Sequence, residues 1–201
     1  MLVKDVSIVA KDIVQITLNA RDGHYLPAWS AGANIHVPVG EYGSRQYSIC
    51  SSPVGKTAWK LAVLREAAGT GGSRFVHEKI HAGMPLQVRL PRNRFQLKPA
   101  QNYLFIAGGI GITPIMSMLH TARSTGIPYR LVYLGSSVAS MAFAEELKLD
   151  EHVILWPKDE LGRFGLVELI RNASETETIY ACGPPRLLAA LQELCAEFPV
   201  G

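Results

Sequence analysis

Tyr103 to Leu119 reads YLFIAGGIGITPIMSML: an unbroken apolar run, a glycine cluster, then apolar residues at helical spacing. Tyr103-Leu104-Phe105-Ile106-Ala107 has the length and character of a parallel strand buried on both faces. Gly108, Gly109 and Gly111 let the backbone turn sharply and approach a ligand with no Cβ in the way. Thr113 is expected as N-cap and Pro114 as the first helical residue. Ile115, Met118, Leu119 and Ala122 then share one helical face. Strand, glycine turn and helix N-terminus together offer N–H groups and a positive dipole end to an anion, most often a phosphate.

The dinucleotide fingerprint G-x-G-x-x-G is incomplete, because Pro114 stands where the third glycine belongs. No ribose-binding acid follows either, since the next expected strand, Arg130 to Leu134, runs into Gly135-Ser136-Ser137. By itself the stretch fits a dinucleotide site and a plain tight turn equally well.

The chain around it falls into two patterns. Up to about residue 90, apolar and polar residues alternate in short runs: Val14/Ile16/Leu18, Trp59/Leu61/Val63 and Leu86/Val88/Leu90. Strands also fit Val3–Val9, Asn34–Val39 and Arg45–Cys50, with one helix at Ser73–His81. Six short strands in this length predict a small antiparallel barrel. Arg92–Asn102 is polar, shows no clear period and contains Pro99, and is read as a linker. Beyond it, strands at Tyr103–Ala107, Arg130–Leu134, Val153–Trp156 and Thr178–Ala181 alternate with helices at Pro114–Thr125, Ser140–Lys148, Gly165–Asn172 and Pro185–Phe198. That order predicts a parallel sheet with helices on both faces, and ligands beyond its carboxyl edge, where the Gly109 and Cys182-Gly183-Pro184 turns fall. The expected fold class is β plus α/β, with a barrel over 1–98 and a parallel-sheet domain over 99–201.

Hydrophobic content of 48% and charged content of 18% suit a substantial core. Met1–Ala20 carries no cationic stretch leading into an apolar segment, and no run has membrane-spanning length, so a cytoplasmic protein is expected. Cys50, Cys182 and Cys195 are too scattered for a zinc ribbon, an iron–sulfur loop or a disulfide framework. The net charge is only +3, yet no acid lies between Glu78 and Glu145, where Arg89, Arg92, Arg94, Lys98, Arg123 and Arg130 occur. Such a stretch is either a solvated face around an anionic cofactor or a docking face for an acidic protein. No motif or basic–aromatic ladder speaks for nucleic acid. His77-Glu78-Lys79-Ile80-His81 matches a zinc-protease pattern, but the acid-free stretch removes the usual downstream third ligand, so no metal is expected.

Two further stretches carry chemistry. Arg45 and Tyr47 share a strand face, offering a guanidinium and an aromatic plane, with the Ser48 hydroxyl beside them. Gly69-Thr70-Gly71-Gly72-Ser73 opens a helix and is a second candidate phosphate site. Singly, each also fits an ordinary exposed strand or a glycine-rich loop.

In order, RQYSICSSP, GTGGSRFVHE, GGIGITPIMSML and YACGPP resemble the ferredoxin–NADP reductase superfamily over essentially the whole chain. The likeness is greatest to its phthalate dioxygenase reductase and vanillate demethylase reductase branch. The resemblance implies a flavin barrel joined to a nicotinamide domain. Arg45, Tyr47 and Ser48 would hold the flavin, Ala62, Val63 and Leu64 line its ring, and Gly71, Gly72 and Ser73 bind its phosphate. Gly109, Gly111 and Thr113 would meet the nicotinamide nucleotide, Thr113 reaching the flavin side also, and Cys182-Gly183-Pro184 would set Cys182 beside the nicotinamide. Ser48 and Cys182 are thus the expected catalytic residues. The branch implies FMN (FAD being the alternative) and NADH, with electrons leaving for an iron–sulfur partner of a Rieske-type oxygenase. NADH over NADPH also follows from the lack of Arg or Lys between Gly135 and Ala144.

Two departures are expected to matter. The branch's C-terminal ferredoxin domain is not in this sequence, so no [2Fe-2S] cluster is expected here and electrons would pass to a separate or deleted domain. The sequence also ends before the final strand usual in the family. The rival readings are a ferric or free-flavin reductase of the same superfamily and a silent flavin-binding module.

Overall fold

The computed structural model describes residues 1–198. Five strands make the first half: β1 (Leu2–Ala10), β2 (Ile13–Asn19), β3 (Asn34–Pro38), β4 (Ser44–Ser48) and β5 (Ala58–Leu64). They form two antiparallel sheets, β1-β2-β5 and β3-β4. Cys50 N, just past β4, donates to Lys60 O on β5 at 2.8 Å and joins the two sheets, while Arg92 exchanges two bonds of 2.9 Å with Asn34 on β3.

The expected sixth strand at Leu86–Leu90 is not one. Pro85 and Pro91 lack the N–H a ladder needs, and the segment pairs only through isolated bonds, Leu86 N to Met1 O at 2.8 Å and Arg89 N to His36 O at 3.2 Å. Those bonds still close the ring around one core, in which Ile16, Leu18, Ile35, Val37, Trp59 and Leu61 are buried.

Helix α1 (Gly72–Lys79) leads out of the glycine loop. The second half holds β6 (Asn102–Gly108), α2 (Ile112–Thr125), β7 (Tyr129–Gly135), α3 (Ala144–Leu147), β8 (Val153–Pro157), α4 (Lys158–Leu161), α5 (Leu166–Arg171), β9 (Glu177–Cys182) and α6 (Pro185–Glu197). All four strands are parallel, in the order β8-β7-β6-β9. Period two sends Tyr103, Phe105 and Ala107 to the face shared with α2, and Leu104 and Ile106 to the face under α5 and α6. The first face also takes in Ile13, Ala31, Cys50 and Ala62 from the barrel, so the two halves share a core.

Three local expectations are corrected. α2 begins at Ile112 with Gly111 as N-cap, and the Thr113 hydroxyl donates to Ile110 O at 3.0 Å instead of capping. α3 starts only at Ala144, because Phe143 adopts φ +64°, a left-handed conformation that no helix continues through. Residues 92–98 do have a period: Asn93, Phe95 and Leu97 are partly buried while Arg92, Arg94, Gln96 and Lys98 are exposed. Asn93 hides this pattern in sequence, since its amide turns inward to donate to Ala31 O at 2.8 Å. α4 had no signal, its Lys158-Asp159-Glu160 start being charged and without apolar spacing. The expected end at 199–201, and any strand beyond it, lies outside the described residues. Among those described, no helix is long and apolar enough to cross a membrane.

Arg130 and the buried Glu177 form a two-pronged pair at 2.6 and 2.8 Å across the start of the sheet, and Ser174 N also donates to Glu177 at 2.9 Å. Burial alone pushes this carboxyl's pKa up, but the guanidinium and the Ser174 N–H outweigh it and hold it below the ordinary value. A lowered folded-state pKa means stability that is full above the unfolded value and lost as pH falls through the folded one. Glu177→Gln is therefore expected to cost about 2 kcal/mol at neutral pH, with the gap to wild type narrowing in urea melts below about pH 4. A gap unchanged by acid would show that the pair contributes only packing.

Candidate functional site

The first cluster forms around Arg45 on β4. Its guanidinium is held by three acceptors: Tyr42 O at 2.8 Å, Ser44 O at 3.0 Å and the Thr70 hydroxyl at 2.6 Å. The last of these ties the strand to the glycine loop, 25 residues on in sequence. The loop can come this close only because it lacks side chains. A Cβ on Gly72 would sit 3.0 Å from Arg45 Cγ and Nε, and one on Gly71, at φ +98°, would meet the Tyr42 ring. Gly71 is the N-cap of α1, so free N–H groups of the helix face the same space as the guanidinium. Ser73 Oγ accepts from Glu66 N at 3.1 Å, which leaves its O–H to donate elsewhere. A cavity of about 550 Å³ opens beside Gly69–Gly71, bounded by Arg65 and Arg74. The cradle suits a phosphate: a fixed cation, a helix N-terminus and hydroxyl donors.

Tyr47 and Ser48, on the same strand, pair opposite Ile35 and Asn34 and are partly buried. Burial pushes the Tyr47 phenol up, against the pull of Arg45, so it stays neutral. On β5, Ala62 and Val63 are buried and Leu64 half-buried, and His77 Nε2 lies 2.9 Å from Val63 O. That contact engages the first histidine of the zinc-like pattern. α1 ends at Lys79, so His81 is off the helix, and Glu78 pairs with Arg65 at 2.7 Å.

The second cluster joins the carboxyl ends of β6 and β9. A Cβ on Gly111 would overlap Cys182 C and O and lie 2.7 Å from Gly183 N. Gly108 is similarly closed in, its Cβ position being 2.8 Å from Pro184 Cδ and Leu187 Cδ2. Gly109, by contrast, is at φ +54° with open space around it. The structure thus brings Gly109 and Gly111 together with Cys182, Gly183 and Pro184, as a surface of bare backbone. Thr113 is buried beneath this turn, its hydroxyl spent on Ile110 O. Cys182 is half-buried, and burial pushes its thiol up with no cation to oppose it, so it is a neutral thiol rather than a nucleophile. The 109–111 turn also packs against β5, the strand that leads into the glycine loop of the first cluster.

Sequence reasoning passed over Tyr42 and Arg74 and gave Thr70 no role of its own within the candidate phosphate loop. Thr70 lies inside the glycine motif and its hydroxyl was a readable signal; Tyr42 acts through its carbonyl and ring edge, which no motif announces.

No protein-family model matches the chain. It is 32% identical over 204 residues to phthalate dioxygenase reductase of Burkholderia cepacia, a match spanning 96% of this chain and 62% of that protein. The solved structure of phthalate dioxygenase reductase superposes with a TM-score of 0.94 at 31% identity, covering 100% of this chain and 64% of that one. The chain is a homologue of that reductase. It has the ferredoxin-reductase-like fold of this group: antiparallel sheets, then the four-stranded parallel sheet. It spans less than two thirds of the length of the curated reductases it matches, 62–64% for the phthalate and carnitine enzymes. It is also similar to part of an intact type IV self-sufficient cytochrome P450 monooxygenase, with a TM-score of 0.94 and 43% identity over 99% of this chain and 26% of that one.

The reductase-like turns predict a contrast between two alanine variants. Gly109→Ala has room and should cost only the left-handed penalty, about 1 kcal/mol. Gly111→Ala must push β6 and β9 apart and should cost at least about 3 kcal/mol or fail to fold. Urea titrations with equal midpoints for the two would show that the β6–β9 contact is not as close as described.

Proposed function

We propose that this chain is a flavin- and pyridine-nucleotide-dependent reductase that supplies electrons to an oxygenase system through an iron–sulfur protein. The observation that carries the reading is the Arg45–Thr70–Gly71–Gly72 cradle, reached by the same β5 that packs against the turn joining Gly109–Gly111 to Cys182 and Gly183. The reductase subunits it resembles serve phthalate dioxygenase and carnitine monooxygenase, among others. The barrel over about 1–98 takes the flavin and the remainder the nucleotide.

Arg45 and the α1 N-terminus would hold the phosphate of FMN, and Tyr47 and Ser48 on the same strand would hold its ring system. The phosphate cradle would also fit FAD, whose longer tail could extend toward Arg65 and Arg74. A flavin held by these residues would supply the chemistry that the chain lacks, taking two electrons from reduced pyridine nucleotide and giving them up singly. The chain's own residues bind and align. The bare backbone at Gly109 and Gly111 admits the nucleotide closely, and the neutral Cys182 thiol adds bulk at its reactive ring without adding charge. NADH is the expected donor, because the turn after β7 offers Ser136 and Ser137 but no cation for a 2′-phosphate. A second reading, that the acceptor system ends in a cytochrome P450, is favoured by the 43% identity to the self-sufficient monooxygenase.

The purified chain reconstituted with FMN is expected to show a flavin spectrum that bleaches anaerobically with NADH. Arg45→Gln should weaken FMN binding by at least about tenfold, while Cys182→Ala should slow bleaching and leave FMN affinity unchanged. A wild-type chain that binds neither flavin, or binds flavin without bleaching, would overturn the reading.

A further inference from the structure

We propose that the outer edge of β1 is a self-association surface, on which two copies of this chain pair β1 with β1 in antiparallel fashion about a two-fold axis at Ile8.

β1 closes the barrel only at its beginning. Val3 N donates to Met84 O at 2.9 Å, Val3 O accepts from Gly83 N at 2.8 Å, and Leu86 N donates to Met1 O at 2.8 Å. From Lys4 to Ala10 the outer side of the strand bonds to no other segment among the described residues. Its inner side is engaged: residues 5–8 run in unbroken register against residues 17–14 of β2, and the irregularities fall to either side, at Lys4 and Val9. Arg65 N donates to Asp12 O at 2.8 Å, so the alternation of an antiparallel ladder turns the backbone groups of Asp12, Val14 and Ile16 toward β5. Their partners on β1, Ile8 opposite Val14 and Val6 opposite Ile16, therefore turn N–H and C=O outward. Val3, opposite Leu18, does the same and finds Gly83 and Met84 there. Val6 and Ile8 hold the same groups ready for a further strand.

The side chains say which strand fits. Ile8 is 82% exposed, although its partner Val14 lies in the barrel core on the same face of the sheet. Across a two-fold axis the two Ile8 side chains stand directly opposite and cover each other. Counting outward from Ile8, the chain meets Asp5 and then Lys4 on one side, Lys11 and then Asp12 on the other. All four are exposed, and none enters an ion pair among the described residues. Antiparallel pairing brings Asp5 to the partner's Lys11 and Lys4 to the partner's Asp12, each twice. An isologous interface demands this self-complementarity, and a second copy supplies it without further assumption. The irregularities at Lys4 and Val9 confine the flat stretch to a few residues. Pairing therefore uses up both edges and closes at a dimer.

The test is sedimentation velocity of the full chain over a concentration series at low salt. Wild type should pass from monomer to dimer with a Kd on the order of 10 µM, as suits a small edge contact. Ile8→Lys, which sets two ammonium groups against each other on the axis, should raise that Kd at least about tenfold. The acidic variant K4E/K11E and the basic variant D5K/D12N should each stay monomeric alone and form a dimer when mixed. Circular dichroism melts of the variants should match wild type, since every altered side chain is exposed. Hydrogen exchange of the Val6 and Ile8 amides should be slow in concentrated wild type and fast in Ile8→Lys. A wild type that remains monomeric across the series would overturn the proposal, and slow exchange at Val6 and Ile8 in that monomer would show the edge to be covered from within the chain. A dimer that survives both Ile8→Lys and K4E/K11E would place the interface elsewhere and overturn it equally.

Discussion

Everything at the carboxyl edge of the parallel sheet depends on one backbone-to-backbone contact, that of Gly111 with Cys182 and Gly183. Neighbouring parallel strands lie about 4.8 Å apart, and the turns leaving β6 and β9 stay as close as their strands only if side chains are absent between them. Gly108 and Gly183 complete the arrangement, each occupying space that the other's Cβ would need. Because the contact is steric, it tolerates no gradual adjustment. It also leaves a patch of bare main chain, and such a patch can meet a flat cofactor closely. The requirement for packing and the suitability for binding are therefore the same requirement, which is why the glycines of the β6–α2 turn are informative even without a complete fingerprint.

A second constraint fixes where that patch points. The barrel is joined to the sheet by a shared core and by specific bonds: Gly32 N donates to the buried Ser117 Oγ at 2.9 Å, and Lys11 N to Ala139 O at 2.7 Å. Gly32, at φ +89°, lies so near the Phe95 carbonyl that a Cβ would overlap it. These contacts come from different parts of the barrel and meet α2, the connector and the turn before α3. With three separate attachments the halves have no obvious hinge, and β5 is held against the 109–111 turn. Ordering two cofactors edge to edge requires this kind of rigidity, since an error of an ångström in the approach of the reacting atoms is costly.

Much of this was legible in the sequence because the governing signals were local. Five of the six expected strands of the barrel are present, two of them marked by alternation, and the apolar runs marked every strand of the parallel sheet. The misses turn on backbone geometry and packing, not on the side-chain pattern. At Leu86–Leu90 the side chains alternate as in a strand, but strand formation is decided by backbone donors, and flanking prolines withhold them. At Phe143 a bulky residue takes a left-handed conformation that propensity argues against, directly after Met141 and Ala142, which are buried in the core. At Asn93 a polar side chain faces inward because Ser30 and Ala31 supply its partners from a distant loop. Thr113 read as a cap, yet the cap is Gly111, since the turn tightens one residue earlier. Only at Asn93 is the deciding partner remote in sequence; elsewhere it is a neighbour that acts through the backbone. The site residues divide along the same line. Arg45, Gly71 and Gly72 belong to recognisable local motifs, whereas the Thr70–Arg45 bond and the Tyr42 contact exist only once the barrel is closed.

The placement of charge follows from the same economy. The paired acids gather at the amino ends of the parallel strands: Glu177 opens β9 and meets Arg130 at the start of β7, while Asp150, just before β8, takes both Arg123 and Tyr129. At the carboxyl ends, around Gly108–Gly111, Gly135–Ser137 and Cys182–Pro184, no ion pair occurs among the described residues. A bound pyridine nucleotide brings its own negative charges, and acids fixed nearby would oppose it while bases paired with them would be spent. Placing the structural ion pairs at the far end ties the sheet across its strands and leaves its carboxyl edge without fixed ion pairs among the described residues. It also separates two pH dependences. Protonating Glu177 or Asp150 loosens the base of the sheet, whereas the bare backbone and neutral thiol at the other end have nothing to titrate in that range. Acid should therefore weaken the fold without first altering the chemistry of the site, and a loss of nucleotide binding that precedes unfolding on acidification would have to arise from the nucleotide's own groups.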